Sequence, residues 1–344
     1  MIIDAHAHMI NGRYLDQIIS KGGNWARENA DWILRNVKRK PQLTDIGLRL
    51  EQLDRNGIDM QVVTIQQRFD CNLLPADGDA QLTFAKVIND SMAKLMEDSK
   101  GRLIAGGTIP MAGMEQGGRQ EMERAVKMLG LKAIGVVSNI QGKPLDAPEF
   151  EAFWAAASEL DVPVYIHPKN PPATAQRSYE AGYDLIHNFG WPYETALMLA
   201  RLVFSGVMER YPTLKVVSHH LGGGLIPFFW GRILETYEPE NMKKNSWIVE
   251  GGKPPMLSKP LFDYFSRFYY DTAVGGCGPA IKCTYEVFGA NQLVFATDAP
   301  WGPGTGEFRL AEYPKVIESL GLPEEDKQKI FAGNARRMLN LDAA

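Results

Sequence analysis

Short apolar runs rich in β-branched residues alternate along this chain with longer stretches of helical period. The short runs are Ile2–His8, Asp59–Ile65, Leu103–Pro110, Ala133–Asn139, Val162–Pro168, Leu214–His220, Phe268–Ala273 and Leu293–Pro300, which makes eight candidate strands. A run of this length bounded by turn residues reads as a buried strand, and an apolar repeat near 3.6 reads as an amphipathic helix. The helical stretches are Thr44–Gly57, Asp79–Lys100, Glu115–Gly130, Pro148–Leu160, Glu194–Glu209, Gly224–Leu234, Gly278–Gly289 and Phe308–Gly321. Thr44 is the expected N-cap of the first, and Gly57, Gly130, Gly289 and Gly321 stand where a helix stops.

Strands that alternate with helices predict parallel βα units. Eight such units predict an α/β fold of the closed (β/α)8 TIM-barrel type. The competitor, a doubly wound open sheet for dinucleotides, would carry G-x-G-x-x-G after its first strand. That fingerprint is missing from the sequence. No linker-like stretch divides the chain, so residues 1–344 are expected to form a single domain. A barrel needs about 250 residues, which leaves an excess of about 90. The excess is expected in residues 9–43, 169–193 and 237–262. The first two blocks follow strands directly, so they should lie over the C-terminal face, where barrel enzymes place their sites.

Composition narrows the function classes. With 45% hydrophobic and 23% charged residues the chain is ordinary for a globular protein. Lys+Arg number 37 against 41 Asp+Glu, a formal charge of −4, so no basic surface for nucleic acid is expected. No apolar run is long enough to predict a transmembrane helix. The opening MIIDAHAHMI has no signal-peptide pattern. Cys71, Cys277 and Cys283 have no zinc-motif spacing. They read as small core fillers without disulfides, and a cytoplasmic setting is expected.

The six histidines carry the chemistry. His6 and His8 end the first predicted strand, His167 the fifth, and His219 and His220 the sixth, while Asp298 ends the eighth. Strand ends converge at the mouth of a barrel, so these side chains can surround one point. His6 and His8 are two apart and share a strand face, with Asp4 deeper on the same face. Three imidazoles and a carboxylate suit Zn²⁺, and also Mn²⁺ or Fe²⁺. Adjacent strand residues point to opposite faces, so only one of His219 and His220 should face the lumen. His187, inside the second insertion, reads as a surface or packing residue.

The runs DAHAH at 4–8, YIHP around His167, HHLGGG from His219 and FATDAP around Asp298 resemble the amidohydrolase superfamily. The likeness is nearest to its decarboxylase branch, which acts on aminocarboxymuconate semialdehyde, γ-resorcylate and 5-carboxyvanillate. It extends through residues 49–63, 191–233 and 333–341. The resemblance implies a metal-dependent decarboxylase of a hydroxybenzoate-like or muconate-like acid. A hydrolase of a lactone, amide or ester, or a hydratase, is the alternative. His6, His8, His167 and Asp298 are the implied metal ligands, and His220 is the implied acid/base residue. Either His220 or Asp298 could deliver the proton to the substrate. Arg49 matches the position of an arginine that binds the substrate carboxylate. Trp191 and Trp301 are candidate walls for a flat ring, as are Trp25, Trp32 and Tyr193.

The chain departs from the branch at several points. Asn139, not lysine, follows the fourth strand, so one metal ion is expected rather than two. His6 stands where the resorcylate enzymes have Glu, and Gly223 where they have another Glu. Zn²⁺ is the expected ion, with Mn²⁺ as the alternative and no organic cofactor. The expected partner is a small carboxylic acid, with no nucleic acid and no membrane, and the expected assembly is a homodimer or higher homo-oligomer.

Overall fold

The computed structural model describes residues 1–65, 67–75, 78–169, 183, 185–244, 255 and 257–342. Eight strands run in chain order around one sheet: β1 Ile3–His8, β2 Met60–Thr64, β3 Leu103–Gly107, β4 Ala133–Val137, β5 Val164–His167, β6 Val216–Ser218, β7 Tyr269–Asp271 and β8 Leu293–Val294. Their pairings around the sheet are parallel. The sheet closes on itself: Ala5 N donates to Phe295 O at 2.7 Å, Asp298 N to His6 O at 2.8 Å and His8 N to Ala299 O at 2.8 Å. The expected TIM barrel is therefore present.

Each strand sends side chains both ways. Val62, Ile104, Ala133, Tyr165, Val217, Tyr269 and Val294 share one apolar cluster with Ile3, Ala5 and the C-terminal residues Ala335, Met338 and Leu339. This is the barrel interior, filled rather than hollow. The alternate strand residues, such as Val63, Ala105, Ile134, Ile166 and Val216, belong to the larger cluster shared with the surrounding helices.

Helix α1 is Leu15–Val37, α2 Ile46–Arg55, α3 Gly78–Asp98, α4 Arg119–Glu123, α5 Glu151–Glu159, α6 Trp191–Phe204, α7 Trp230–Tyr237, α8 Gly278–Phe288 and α9 Glu307–Ser319. The expected stretches become helices, with local corrections. Asp45, not Thr44, caps α2, accepting from Leu48 N at 3.0 Å. Residues 114–128 form the short α4 between two wider π-type turns rather than one regular helix.

The first insertion is helical rather than a loop. Helix α1 buries Ile18, Gly22, Ala26, Ala30 and Ile33, one stripe at helical spacing, and kinks at Gly23, where φ is 59°. The kink and the small residues of the stripe weaken the sequence signal. A Cβ on Gly22 would lie 3.0 Å from the Phe84 ring of α3, so glycine allows the two helices to meet closely. Trp25 packs edge-on against Phe69 and Phe84 at 6.4 and 5.7 Å, which places it in this junction rather than in a substrate pocket. Of the second and third insertions, residues 170–182, 184, 245–254 and 256 lie outside the described residues. Among the described residues no helix is long and apolar enough to cross a membrane. The three cysteines are unpaired, and Cys277 is exposed, so it is not the core filler expected of it.

Phe84 is fully buried at the α1–α3 junction. Phe84→Ala is expected to cost about 3–5 kcal/mol, read as a lower urea midpoint at unchanged slope.

Candidate metal centre

The site is built on strand ends. On β1 the pairing register with β2 shifts between Asp4 and Ala7. Ile3 and Ala5 face the interior before the shift, and His6 and His8 converge there after it. An irregularity of one residue reverses which side chains face inward. Asp4 consequently does not join the histidines. Its carboxylate accepts from Gln61 Nε2 at 2.7 Å, Thr297 N at 2.9 Å and Thr297 Oγ1 at 2.5 Å, tying β1 to β2 and to the residues after β8.

His6 Nε2 and His8 Nε2 face each other at 3.2 Å. Asp298 Oδ1 lies 3.6 Å from the first and 3.4 Å from the second. His167, at the end of β5, brings its ring to 6.0 Å from that of His6 and 5.2 Å from that of His8. The four residues expected as ligands are thus brought to one place. Two overlapping sets place one potential ligand atom per residue within 4.8 Å of one another: His6, His8, His167 and His219, and His6, His220 and Asp298.

The outer nitrogens explain which atoms point inward. His6 Nδ1 donates to Asp271 Oδ2 at 2.6 Å, His167 Nδ1 to Pro168 O at 2.6 Å and His220 Nδ1 to Ala273 O at 3.0 Å. His8 Nδ1 lies 3.3 Å from Thr64 Oγ1. A proton held at Nδ1 leaves the Nε2 lone pair for an ion. Burial pushes the His8, His167 and His219 imidazoles below their usual range, toward the neutral, ligating form. Burial also opposes charge on His6, but Asp271 and Asp298 outweigh it and raise that group. Burial opposes charge on Asp298 too, yet His8, His220, His6 and Arg309 overcome it and hold the carboxyl well below the usual range.

Among the described residues, His220 Nε2, Asp298 Oδ1 and both nitrogens of His219 are buried without a hydrogen-bond partner. Buried polar atoms ordinarily find partners. Acceptor atoms left without partners, namely His220 Nε2, Asp298 Oδ1 and one nitrogen of His219, are the pattern a cation satisfies, so the residues fit a bound divalent metal.

The structure corrects the reading of His219 and His220. Strand β6 stops at Ser218, and a 3-10 turn spans His219–Gly224. Val217 faces the interior, so strand parity sends His219 the same way. His219 stacks on His6 with ring centroids 3.4 Å apart. His220 and Leu221 then take positive φ values of 57° and 61°, which turn the chain and bring His220 to the same mouth. Both histidines reach the site because the strand rule ends with the strand.

Arg49 does not reach the cleft. Its guanidinium is fully buried and donates to His8 O at 2.9 Å, Gln61 Oε1 at 3.0 Å and Gln42 O at 3.2 Å. Burial lowers its pKa to about 10. It supports the backbone of a candidate ligand instead. Trp191 stands where expected, beside a cleft of about 350 Å³ that is also lined by His187, His220, Asp298 and Arg309. Its ring is 5.4 Å from His167 and roughly parallel to His220. His187 is an exposed packing residue, edge-on to Trp191 at 4.3 Å. Trp301 packs against Trp32 at 5.3 Å rather than lining the cleft.

Two partners of the cluster were not among the expected site residues. Asp271, in the run FYYDTA, orients His6 and accepts from Leu221 N at 3.2 Å and Ala273 N at 3.0 Å. It lies inside the run expected as the seventh strand, which the structure ends at Asp271. Arg309 comes from a helix and carried no strand-end signal.

Eight parallel strands with this cluster at their C-terminal ends define a metal-site TIM barrel. The chain belongs to the amidohydrolase family, whose profile matches residues 3–341. It is 30% identical over 302 residues to 2-amino-3-carboxymuconate-6-semialdehyde decarboxylase of Dictyostelium discoideum, covering 87% of this chain and 77% of that protein. It is 29% identical over 316 residues to γ-resorcylate decarboxylase of a Polaromonas species, covering 88% and 90%. The fold matches 5-carboxyvanillate decarboxylase of Novosphingobium aromaticivorans, solved with manganese and a nitrobenzoic acid. The TM-score is 0.81 at 23% identity, over 99% of this chain and 96% of the other.

Two outcomes test this geometry. Asp271→Asn removes the acceptor that fixes the His6 tautomer and should weaken Zn²⁺ binding about 10–100-fold in a chelator competition. Arg49→Met should cost about 3 kcal/mol or more in urea unfolding by orphaning buried carbonyl groups, while KM for any substrate stays at the wild-type value.

Proposed function

We propose that the protein is a metal-dependent, non-oxidative decarboxylase of an aromatic or unsaturated carboxylic acid of the hydroxybenzoate or muconate type. The observation that carries this reading is the cluster in which His6 joins two sets of potential ligands, with His8, His167 and His219 and with His220 and Asp298, beside a cleft walled by Trp191. The names of the two relatives, both decarboxylases of unsaturated or aromatic acids, support it.

His6, His8, His167 and Asp298 would hold one divalent ion, Zn²⁺ first and Mn²⁺ as the alternative. When bound, that ion supplies a Lewis acid that fixes substrate oxygens and stabilises developing negative charge. The remaining work belongs to the chain. Trp191 offers a flat face to an unsaturated ring. His220 keeps Nδ1 on Ala273 O, so Nε2 is the atom that carries a proton to and from the substrate carbon. Proton transfer of this kind contributes about 10²–10⁴-fold. Asp298, kept ionised by the imidazoles of His8, His220 and His6 and by Arg309, serves as a ligand oxygen and leaves proton transfer to His220. Among the described residues, Arg309 is the one Arg or Lys lining the cleft, which suits an anionic substrate.

The reading takes residues 1–344 as one catalytic unit in the cytoplasm, the compartment suggested by three unpaired cysteines. Exposed Phe189, Tyr193, Leu197, Phe228 and Phe229 lie on α6 and in nearby segments. They supply apolar surface for a homodimer or higher homo-oligomer.

Metal-loaded protein should release CO₂ from a hydroxybenzoate or a carboxylated muconate, followed together with ring absorbance. Stripping the metal should abolish the release, and restoring Zn²⁺ or Mn²⁺ should recover it. His220→Asn should retain the metal and lose at least about 100-fold in kcat. Turnover of a lactone, or addition of water without CO₂, would instead make the protein a hydrolase or hydratase.

A further inference from the structure

Asp298 offers its two oxygens in different directions. Oδ1 faces His6 and His8 and has no hydrogen-bond partner among the described residues. Oδ2 accepts from Arg309 Nη1 at 2.8 Å. The same nitrogen donates to Thr297 O at 3.2 Å, so the guanidinium is held on the backbone next to the carboxylate as well as on the carboxylate itself.

The surroundings are shaped to seat this arginine. Gly302 has φ +104°, and a Cβ there would lie 2.6 Å from Arg309 Nε and 3.2 Å from its Cδ. The Tyr313 ring, one helical turn onward, lies 5.9 Å from the guanidinium carbon. The loop bearing Gly302 is fastened from outside. Lys40 Nζ donates to Gly302 O at 2.9 Å and Gly304 O at 2.6 Å, and Gln42 Nε2 donates to Thr305 O. Lys40 and Gln42 belong to the insertion between β1 and α2, so this insertion braces the loop that holds Arg309.

We propose that Arg309 is a positioning residue that makes Asp298 a one-oxygen ligand. This rests on the reading of Asp298 as a ligand given under the proposed function. With Oδ2 engaged by Arg309, only Oδ1 would be offered to an ion held with His6, His8 and His167. Without Arg309, the carboxylate is able to rotate and offer both oxygens, a mode that suits larger, oxygen-seeking ions. Arg309 and its glycine seat therefore tune coordination number and metal choice.

The test uses the full chain stripped of metal and titrated with Zn²⁺ and with Co²⁺ against a competing indicator. Co²⁺ also reports coordination through its visible absorption, which is strong at low coordination number and weak in six-coordinate sites. Arg309→Met is expected to weaken Zn²⁺ binding about 10–100-fold and to shift the Co²⁺ spectrum toward higher coordination. Gly302→Ala, which keeps every charge but crowds the seat and strains the backbone at φ +104°, should move both readouts the same way. Arg309→Lys, which keeps a cation and a donor, should recover most of the affinity. Should Arg309→Met fail to fold, the Gly302→Ala and Arg309→Lys pair carries the test alone. Wild-type affinity and spectrum in the Arg309 and Gly302 variants, with weakened binding in Asp298→Asn, would overturn the positioning role alone. Unchanged binding in Asp298→Asn would overturn the assignment of Asp298 to the ion, and the proposed function with it.

Discussion

Closure of the last strand onto the first is the constraint on which the rest of this structure depends. Three backbone hydrogen bonds, from Ala5 N, His8 N and Asp298 N, join residues 5–8 to residues 295–299 across nearly the whole chain. Asp298 N bonds to His6 O, so the ring closure itself sets the carboxylate beside the imidazoles. Asp4 strengthens the seam by accepting from the backbone N–H and the hydroxyl of Thr297. Its buried carboxyl, raised by desolvation, is held by four hydrogen bonds. In effect the residue that looks like a spare ligand closes the barrel, and the barrel then makes the site.

Around that seam the chemistry is organised in two layers. The inner layer consists of two overlapping sets of potential ligand atoms, from His6, His8, His167 and His219 and from His6, His220 and Asp298. The outer layer consists of Asp271, Thr64, Pro168 O and Ala273 O on the imidazoles, and Arg309 on the carboxylate. Each outer contact occupies the atom that is not wanted in the centre. Such contacts fix tautomer and orientation before any ion arrives, which lowers the cost of ordering the site. Burial assists by shifting His8 and His167 toward the neutral form.

Two arginines near the site serve different ends. Arg49 has its donors on carbonyl oxygens and Gln61 in a sealed compartment, so it stiffens the end of β1. Arg309 retains partial exposure at the cleft and holds one oxygen of Asp298. A sequence motif identifies an arginine on a helix without telling which side of the barrel wall its guanidinium occupies. That side depends on how the helix lies against strands far away in the chain.

Much of the fold was legible because local periodicity is a local property. Alternation of β-branched runs with helical stretches gave the eight βα units, and the histidines at strand ends pointed to the mouth. Strand position brought His6, His8, His167, His219, His220 and Asp298 to one end of the barrel, and the choice of four candidate ligands among them came from the family resemblance. The helix in the first insertion was less visible, because its apolar stripe is built from small residues and broken at Gly23. Three features only the tertiary structure decided. The register shift in β1 separates Asp4 from the histidines, since pairing with β2 and β8 fixes which side faces inward. The positive-φ turn after Ser218 brings both His219 and His220 to the site, against simple strand alternation. Asp271 and Arg309 acquire their roles only when strands seven and eight and helix α9 assemble around His6 and Asp298. Sequence by itself determined the kinds of candidate ligand and the end of the barrel they occupy. Long-range backbone pairing decided which atoms meet, because hydrogen bonds between distant segments, and not local propensity, set distances of a few ångströms.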